Sequence, residues 1–479
     1  MAVLANLQPK EVFAYFEEIC AIPHGSENTT AIADYLVSFA REHNLEHYRD
    51  ALNNVIIIKE ATPGYENAEP VIIQGHTDMV CEKTEECTKD MEKEGLDLVV
   101  DGDTIYAEGT TLGGDDGIAV AMGLAVLASK ELSHPRVEVV LTVDEETGMD
   151  GARGLDVSPL KGRRMLNIDS EDEGIFTVSC SGGSFVECTL KVERAAFTSA
   201  ILKVEISGLV GGHSGVEIHT GRANANVLLG RVLSAMQKVT PLRIITVRGG
   251  LKDNAIPVQA AAIVAVADKP AAEEVAHGFE EVLRREYAGI EPNLTVRAFD
   301  NSSDITPMTE ESTRNTIAML ERVPNGIQSM SRDIEGLVQT SLNNGILKTD
   351  DAAVRASLCV RSSVDAERKE LEAKILAAME SVGGTAVVKE EYPGWAYAPV
   401  SPTRDLLVEV FTQQYGYAPK LEAIHAGLEC GLFAGKIPGL DCISFGPELT
   451  EIHTPRERMG ISSVGRVWNM LVETLKRMK

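Results

Sequence analysis

The chain has 479 residues, which is too long for one ordinary hydrophobic core and predicts two or more domains. Its composition, 44% hydrophobic and 24% charged, is that of a soluble globular protein. A formal net charge of -27 argues against binding to nucleic acid or to an anionic membrane surface.

Nothing in the sequence predicts secretion, a membrane span or a structural zinc site built from cysteines. The N-terminus lacks a basic start followed by an apolar core, and no apolar stretch is long enough to cross a bilayer. The eight cysteines are scattered and form no CxxC pair, which excludes a zinc ribbon. We therefore expect a cytoplasmic protein with reduced thiols.

The first third of the chain alternates amphipathic helical patterns with short apolar strands. Predicted helices cover 10–21, 29–43 and 116–129, and predicted strands cover 53–58, 70–75, 137–143 and 165–169. Because these strands show no polar alternation, we expect them to be buried on both faces of a sheet covered by helices.

The pattern changes near residue 184 and changes back near residue 400. Between these points, longer strands with more polar alternation are separated by predicted helices near 222–238, 270–287, 308–322 and 365–382. Helices at 403–415 and 463–477 then flank short apolar strands. The simplest architecture is an α/β domain formed by residues 1–187 and 398–479, interrupted by an α+β domain at 188–397.

Five short motifs place acids or histidine directly after an apolar run. They are GHTD (75–78), GTTLGGDDGIAVA (109–121), LTVDEETGMDG (141–151), MLNIDSEDEG (165–174) and GPELTEIHTPRE (446–457). Alternation along a strand turns His76 and Asp78 to the same side, as in a metal ligand whose ring is held by a carboxylate. A surface His–Asp pair is the simpler alternative.

The other motifs have equally simple alternatives when each is taken alone. Asp115 and Asp116 begin a helix, where aspartate is a common N-cap, although a carboxylate there can also bridge two cations. Asp144, Glu145 and Glu146 form either an acidic loop or a metal ligand beside a general base.

Asp169 and His453 complete a donor set of imidazoles and carboxylates without cysteine. Such donors suit zinc, manganese or cobalt, and sites in open α/β folds lie where strands end. Two histidines and three carboxylates are enough for two ions that share one bridging acid.

This ordered set resembles the di-zinc aminopeptidase and amidohydrolase family that includes carnosinases, aminoacylases and tripeptidase T. The stretches AIPHGSEN, GLVGGHSGVEIHTGRANAN, DNAIP, YPGW and IHAGLECGLF extend the resemblance over essentially the whole chain. It implies a zinc-peptidase-type catalytic domain with a central mixed sheet and an inserted lid.

The resemblance also implies a role for each residue of the motifs. Two divalent ions are expected per chain, Zn²⁺ in the first instance and Mn²⁺ or Co²⁺ as alternatives. In the family pattern one ion is bound by His76 and Asp169, the other by Glu146 and His453, and Asp115 bridges them. Asp78 orients His76, Glu145 is the general base, and the Asp115–Asp116 peptide bond is cis.

Further positions match family residues that contact the substrate. His213, in GGHSG, corresponds to a histidine that stabilises the oxyanion, often from a partner subunit. Asn254, Arg361, His425 and Gly427 resemble contacts to the substrate carboxylate, for which the fork of an arginine is suited. Without the resemblance, His213 and Arg361 would be taken as surface residues.

The activity implied is that of a metal-dependent dipeptidase, with Xaa-His dipeptides such as β-Ala-His among its substrates. Hydrolysis would proceed by attack of a metal-bridging water, with Glu145 as general base. A homodimer formed through the lid is expected. The alternatives are a deacylase acting on N-acyl amino acids and a catalytically silent metal-binding scaffold.

Overall fold

The computed structural model describes residues 2–479, which divide into two compact units. The first comprises the chain up to Cys180 together with Tyr397–Ala423 and Leu428–Lys479, and the second comprises Ser181–Ala396 and Ile424–Gly427. The predicted boundary at residue 188 falls inside the strand Gly182–Lys191, which pairs along its whole length with Ala353–Ser362 of the second unit.

The first unit contains an eight-stranded mixed sheet. Its strands, in spatial order, are Glu46–Arg49, Val55–Lys59, Val137–Thr142, Val71–His76, Arg164–Asn167, Asp441–Ser444, Ile175–Cys180 and Lys420–Ile424. A smaller sheet joins Leu449–Thr450, Arg458–Gly460, Thr104–Ala107 and Leu98–Asp101. The helices are Lys10–Cys20, Thr30–Glu42, Gly114–Ala128, Asp150–Gly154, Pro402–Tyr415, Glu429–Lys436 and Ile461–Arg477.

Parallel pairing at the centre of this sheet brings several motif residues to one edge. Val71–His76 pairs in parallel with Val137–Thr142 on one side and with Arg164–Asn167 on the other. All six residues of Val71–His76 and of Val137–Thr142 are buried, as expected for apolar strands covered on both faces. Because the strands run in the same direction, the residues that follow them lie at the same edge.

The second unit is built on a nine-stranded sheet in which the strands pair antiparallel. The path runs Thr295–Asp300, Ala200–Ser207, Ala260–Val266, Leu242–Gly249, Val338–Thr349, Ala353–Ser362, Gly182–Lys191 and Thr385–Tyr392, and Gly326–Met330 pairs with Val338–Thr349. Gly212–His213 and Ala255–Ile256 form a separate short ladder. The helices are Ala225–Val239, Lys269–Glu286, Glu310–Arg322 and Asp365–Glu380, with a 3₁₀ turn at Ile218–Thr220.

The predicted fold class, an α/β unit with a central mixed sheet and an α+β insert, is confirmed. Over residues 2–479, none of the helices has both the length and the apolar character required to cross a bilayer.

The turn before the helix Gly114–Ala128 is held by the carboxylate of Glu457. The backbone N–H groups of Leu112 and Gly113 donate to its Oε2 at 2.7 and 3.1 Å, and that of Gly114 donates to Oε1 at 2.8 Å. Gly113 has φ +68°, and a Cβ there would lie 2.8 Å from the Met79 sulfur, so the position requires glycine. This turn fixes the backbone that leads into Asp115, whose φ and ψ are non-helical within the element Gly114–Ala128.

We predict that Glu457→Gln lowers the free energy of unfolding of the first unit by about 2–3 kcal/mol, because an amide NH₂ would face buried N–H donors. Urea unfolding followed by circular dichroism measures this change. Glu451→Gln is the matched control: Glu451 lies in the same segment but is exposed and contacts Arg456 at 2.8 Å, so it should change stability by less than about 0.5 kcal/mol. Equal effects of both substitutions would contradict the anchoring role of Glu457.

Candidate metal centre

The carboxylate of Asp115 lies between two imidazoles. Its Oδ1 is 3.2 Å from His76 Nε2, and its Oδ2 is 3.1 Å from His453 Nε2. Each imidazole also faces a further carboxylate, because His76 Nε2 is 3.7 Å from Asp169 Oδ1 and His453 Nε2 is 2.8 Å from Glu146 Oε1. The side chains come from three strand ends, one helix start and a C-terminal loop.

The His76 ring is oriented mainly by the main chain of Asp78. Its Nδ1 is 3.0 Å from the Asp78 carbonyl oxygen and 3.5 Å from the carboxylate Oδ1. A ring that donates from Nδ1 leaves the Nε2 lone pair directed at the carboxylate cluster. The Asp78 carboxylate itself accepts hydrogen bonds from Ser26 Oγ at 2.8 Å and from the backbone N–H of Glu145 at 3.1 Å. Asp78 therefore fixes the Glu145 segment as well as the His76 ring.

Among residues 2–479, three groups of side chains bring potential ligand atoms within 4.8 Å of one another: His76–Asp116–Asp169, His76–Glu145–Glu146 and Asp115–Glu146–His453. The sequence-based ligand set does not include Asp116, which is buried and accepts the backbone N–H of His76 at 3.2 Å. The peptide bond between Asp115 and Asp116 is cis, as the family resemblance implies.

Burial of so many carboxylates shifts their protonation. Burial raises the pKa of Asp169 and of Asp116 well above the ordinary value, and burial with neighbouring carboxylates raises that of Glu145 to about 8. Burial also opposes ionisation of Asp115, yet the hydrogen bonds from His453 and His76 hold its pKa below the ordinary value. The contacts with Asp115 and Glu146 raise the pKa of His453 to about 10.

These shifts describe a centre with more negative charge than two imidazoles can neutralise. Close carboxylates in a buried site are stable only if they are protonated or if a cation lies among them. The donor atoms, imidazole nitrogen and carboxylate oxygen, are those that Zn²⁺ and similar divalent ions bind. The residues present therefore fit a divalent metal site.

Sequence analysis did not predict a buried polar network that lies close to the strand ends. Glu429 Oε2 accepts hydrogen bonds from Gln74 Nε2 and Thr142 Oγ1, both at 2.6 Å, and Asn167 Nδ2 donates to Gln74 Oε1 at 2.5 Å. Glu429 is fully buried, and burial raises its pKa to about 7. The available signal was a polar residue among the apolar residues of three buried strands, Gln74, Thr142 and Asn167, since a buried polar side chain needs a partner.

The residues assigned to substrate contact lie in the second unit. Arg361 and His425 are buried, and the backbone N–H of Ser214 donates to the Asn254 carbonyl at 2.9 Å. A Cβ at Gly215 would lie 2.9 Å from His213 Cε1 and 3.2 Å from Arg361 Nε, so this glycine allows the two side chains to approach. Gly427 lies two residues after His425 in the short segment Ile424–Gly427.

Burial favours the neutral form of both imidazoles in this second cluster. Burial and the charge of Arg361 lower the pKa of His213, and the same causes lower that of His425 to about 3. The backbone N–H groups of Gly215 and Val216 donate to His213 Nδ1 at 3.2 and 3.1 Å. Because Nδ1 accepts these two hydrogen bonds, the neutral form of the ring carries its proton on Nε2.

Comparison with known proteins gives a consistent result. The model of peptidase family M20/M25/M40 matches residues 72–477. The chain is 38% identical over 480 residues to the cytosol non-specific dipeptidase of Escherichia coli (strain K12), covering 99% of each chain.

Solved structures agree with this match. The chain is similar to the crystal structure of aminoacylhistidine dipeptidase from Vibrio alginolyticus, with 38% identity, a TM-score of 0.94, and coverage of 99% of this chain and 97% of that one. The aminopeptidase PepT from Bacillus cereus ATCC 10987 shares the fold at 15% identity and a TM-score of 0.57, over 98% and 99% of the two chains. The resemblance noted in the sequence is thereby confirmed, and the chain belongs to peptidase family M20/M25/M40.

Proposed function

We propose that this protein is a metal-dependent dipeptidase that acts on Xaa-His dipeptides such as β-Ala-His. The observation that carries the proposal is the Asp115 carboxylate, which faces His76 with one oxygen and His453 with the other. The two relatives that are 38% identical are named as dipeptidases, one of them as aminoacylhistidine dipeptidase. The name of the Escherichia coli relative also supports a cytoplasmic location.

The proposed ligand set assigns the centre's side chains to two divalent ions. His76 and Asp169 would hold one ion, Glu146 and His453 the other, and Asp115 would be shared. Zn²⁺ fits these donors, with Mn²⁺ and Co²⁺ as alternatives. When bound, such ions polarise the scissile carbonyl and lower the pKa of a water molecule held at the centre.

Glu145 is the proposed general base. It follows the strand Val137–Thr142 and adjoins Glu146, and its backbone N–H is fixed by the Asp78 carboxylate. The Glu145 carboxylate accepts a proton from the attacking water as the new C–O bond forms. It then passes that proton to the departing amine as the C–N bond breaks.

In the second unit, the proposal assigns His213 to the oxyanion and Arg361 to the substrate carboxylate. The Nε2–H of neutral His213 is a suitable donor to a developing negative charge. The guanidinium of Arg361 suits a carboxylate because its fork can bind both oxygens. Asn254, His425 and Gly427 are proposed to complete the carboxylate contacts. The unit is proposed to act as a lid and as the surface of a homodimer.

We predict that the purified protein loaded with Zn²⁺ or Mn²⁺ hydrolyses β-Ala-His, Ala-His and Leu-Gly, and that a chelator abolishes the activity until metal is restored. Amino-acid release measured by chromatography checks this. Hydrolysis of an N-acetyl amino acid in place of the dipeptides would favour a deacylase. Hydrolysis that is insensitive to chelation would contradict the metal centre.

Glu145→Gln is expected to keep both metal ions and to lower kcat by about 10³-fold, because the proton acceptor is lost while the proposed ligands remain. Metal content by mass spectrometry and steady-state kinetics test this together. Asp150→Asn, an exposed carboxylate in the same motif, is the matched control and should leave kcat unchanged. Near-normal turnover in Glu145→Gln would remove Glu145 from the mechanism.

His453→Ala is expected to reduce the metal content from two ions to one per chain, because Glu146 and Asp115 would lose the imidazole that faces both. His277→Ala, which removes an exposed imidazole from the helix Lys269–Glu286, should retain two. Two ions per chain in both variants would show that the proposed ligand set is wrong.

A further inference from the structure

Glu429 is a buried acid to which the roles proposed above give no part. It is the first residue of the helix Glu429–Lys436, and it is fully buried. Burying a carboxylate is costly unless hydrogen bonds compensate, so its contacts indicate what it does. Oε2 accepts two hydrogen bonds, whereas Oε1 has no hydrogen-bond partner within the part of the chain that the structure describes.

Both donors to Oε2 belong to strands of the central sheet. Gln74 Nε2 and Thr142 Oγ1 come from adjacent parallel strands, and each lies 2.6 Å from Glu429 Oε2. The register of these strands places Thr142 opposite His76, which is two residues beyond Gln74. The Glu429 carboxylate therefore cross-links the ends of two neighbouring strands through their side chains.

The cross-link extends to a third strand through the Gln74 amide. Gln74 Oε1 accepts a hydrogen bond from Asn167 Nδ2 at 2.5 Å, and the two residues are also register partners in a parallel ladder. The backbone N–H of Ile168 donates to the Gln74 carbonyl at 3.1 Å. Because one end of the amide is bound to Asn167 and the other to Glu429, the Gln74 side chain is fixed in one orientation.

Each of the three strand residues lies two or three positions before a residue of the proposed metal centre. The pairs are Gln74 and His76, Thr142 and Glu145, and Asn167 and Asp169. Over so short a stretch of chain in a close-packed interior, a shift of the strand end also shifts the side chain that follows. Metal–ligand distances must hold to within about 0.2 Å, so the spacing of the three strand ends matters for a metal site.

We infer that Glu429 is a positioning residue for the metal centre, an assignment that rests on the proposed function. Its carboxylate holds the strand ends at the spacing that His76 and Asp169 require. Both donors to Oε2 are neutral, an amide and a hydroxyl, so the strands need a hydrogen-bond acceptor at this place rather than a negative charge. Glu429 acts through Gln74 and Thr142 and is not itself a ligand.

Glu429→Leu removes the acceptor and tests this inference. The dissociation constant of Zn²⁺, measured by competition with a chromogenic chelator, should rise about 10- to 100-fold for at least one ion, as is typical when a group that orients metal ligands is lost. Glu429→Gln should keep it within about threefold of wild type, because the amide oxygen can replace Oε2 while the NH₂ takes the place of the unpartnered Oε1. Equal losses of affinity in both variants would show that the charge acts instead, and would overturn the inference.

Glu138→Leu is the matched control for a general loss of stability. Glu138 is also fully buried, and its carboxylate accepts hydrogen bonds from Arg136 Nε at 2.8 Å and from the backbone N–H of Gly162 at 3.0 Å. It lies at the opposite end of the strand from Thr142, so its loss should leave zinc affinity within about threefold of wild type. Equal losses of affinity in Glu138→Leu and Glu429→Leu would overturn the inference.

If either leucine variant fails to fold, Thr142→Val and Glu138→Gln replace the pair. Valine keeps the branched shape of threonine and removes one donor to Glu429, so zinc affinity should fall about fivefold or more in Thr142→Val and stay unchanged in Glu138→Gln. Unchanged affinity in Thr142→Val would overturn the inference. A wild-type protein that binds no zinc and hydrolyses no dipeptide would refute the proposed function instead, so the two failures are distinguishable.

Discussion

The shared contact of one carboxylate, Asp115, with two imidazoles is the interaction around which the candidate metal centre is arranged. It requires His76 and His453, which are far apart in the chain, to approach different oxygens of the same side chain. The parallel strands deliver His76 to the sheet edge, and Glu457 holds the turn from which Asp115 emerges. Packing of the helix Gly114–Ala128 then keeps the carboxylate in place.

This arrangement has an electrostatic cost that explains its other features. Burial and mutual repulsion favour protonation of Asp116, Glu145 and Asp169, so the side chains alone do not balance the charge. A pair of divalent ions would supply that balance. The second unit instead holds the positive charge of Arg361 near two imidazoles whose pKa values are lowered by burial and by that charge. This difference in charge is consistent with the proposed roles, metal ions at the first unit and a substrate carboxylate at Arg361.

The sequence predicts the strand-end residues well because their signals are local. An apolar run followed by His76, Glu145 or Asp169 marks a buried strand that reaches a sheet edge, whatever the distant chain does. The four helices of the insert were likewise predictable from their periodicity. Contacts between distant segments leave no local pattern, and for this reason the Glu429 network and the approach of Cys81 to Gly25 become visible only in the structure. The grouping of Ile424–Gly427 with the second unit is another such case.

The central claim, that Asp115 is shared by two metal ions, is tested most directly by anomalous diffraction. Crystals of the zinc-loaded protein, measured above and below the zinc absorption edge, would locate each ion independently of any activity. The account predicts two peaks per chain, one between Asp115 and His76 and one between Asp115 and His453. A single peak, or peaks that do not contact Asp115, would contradict it.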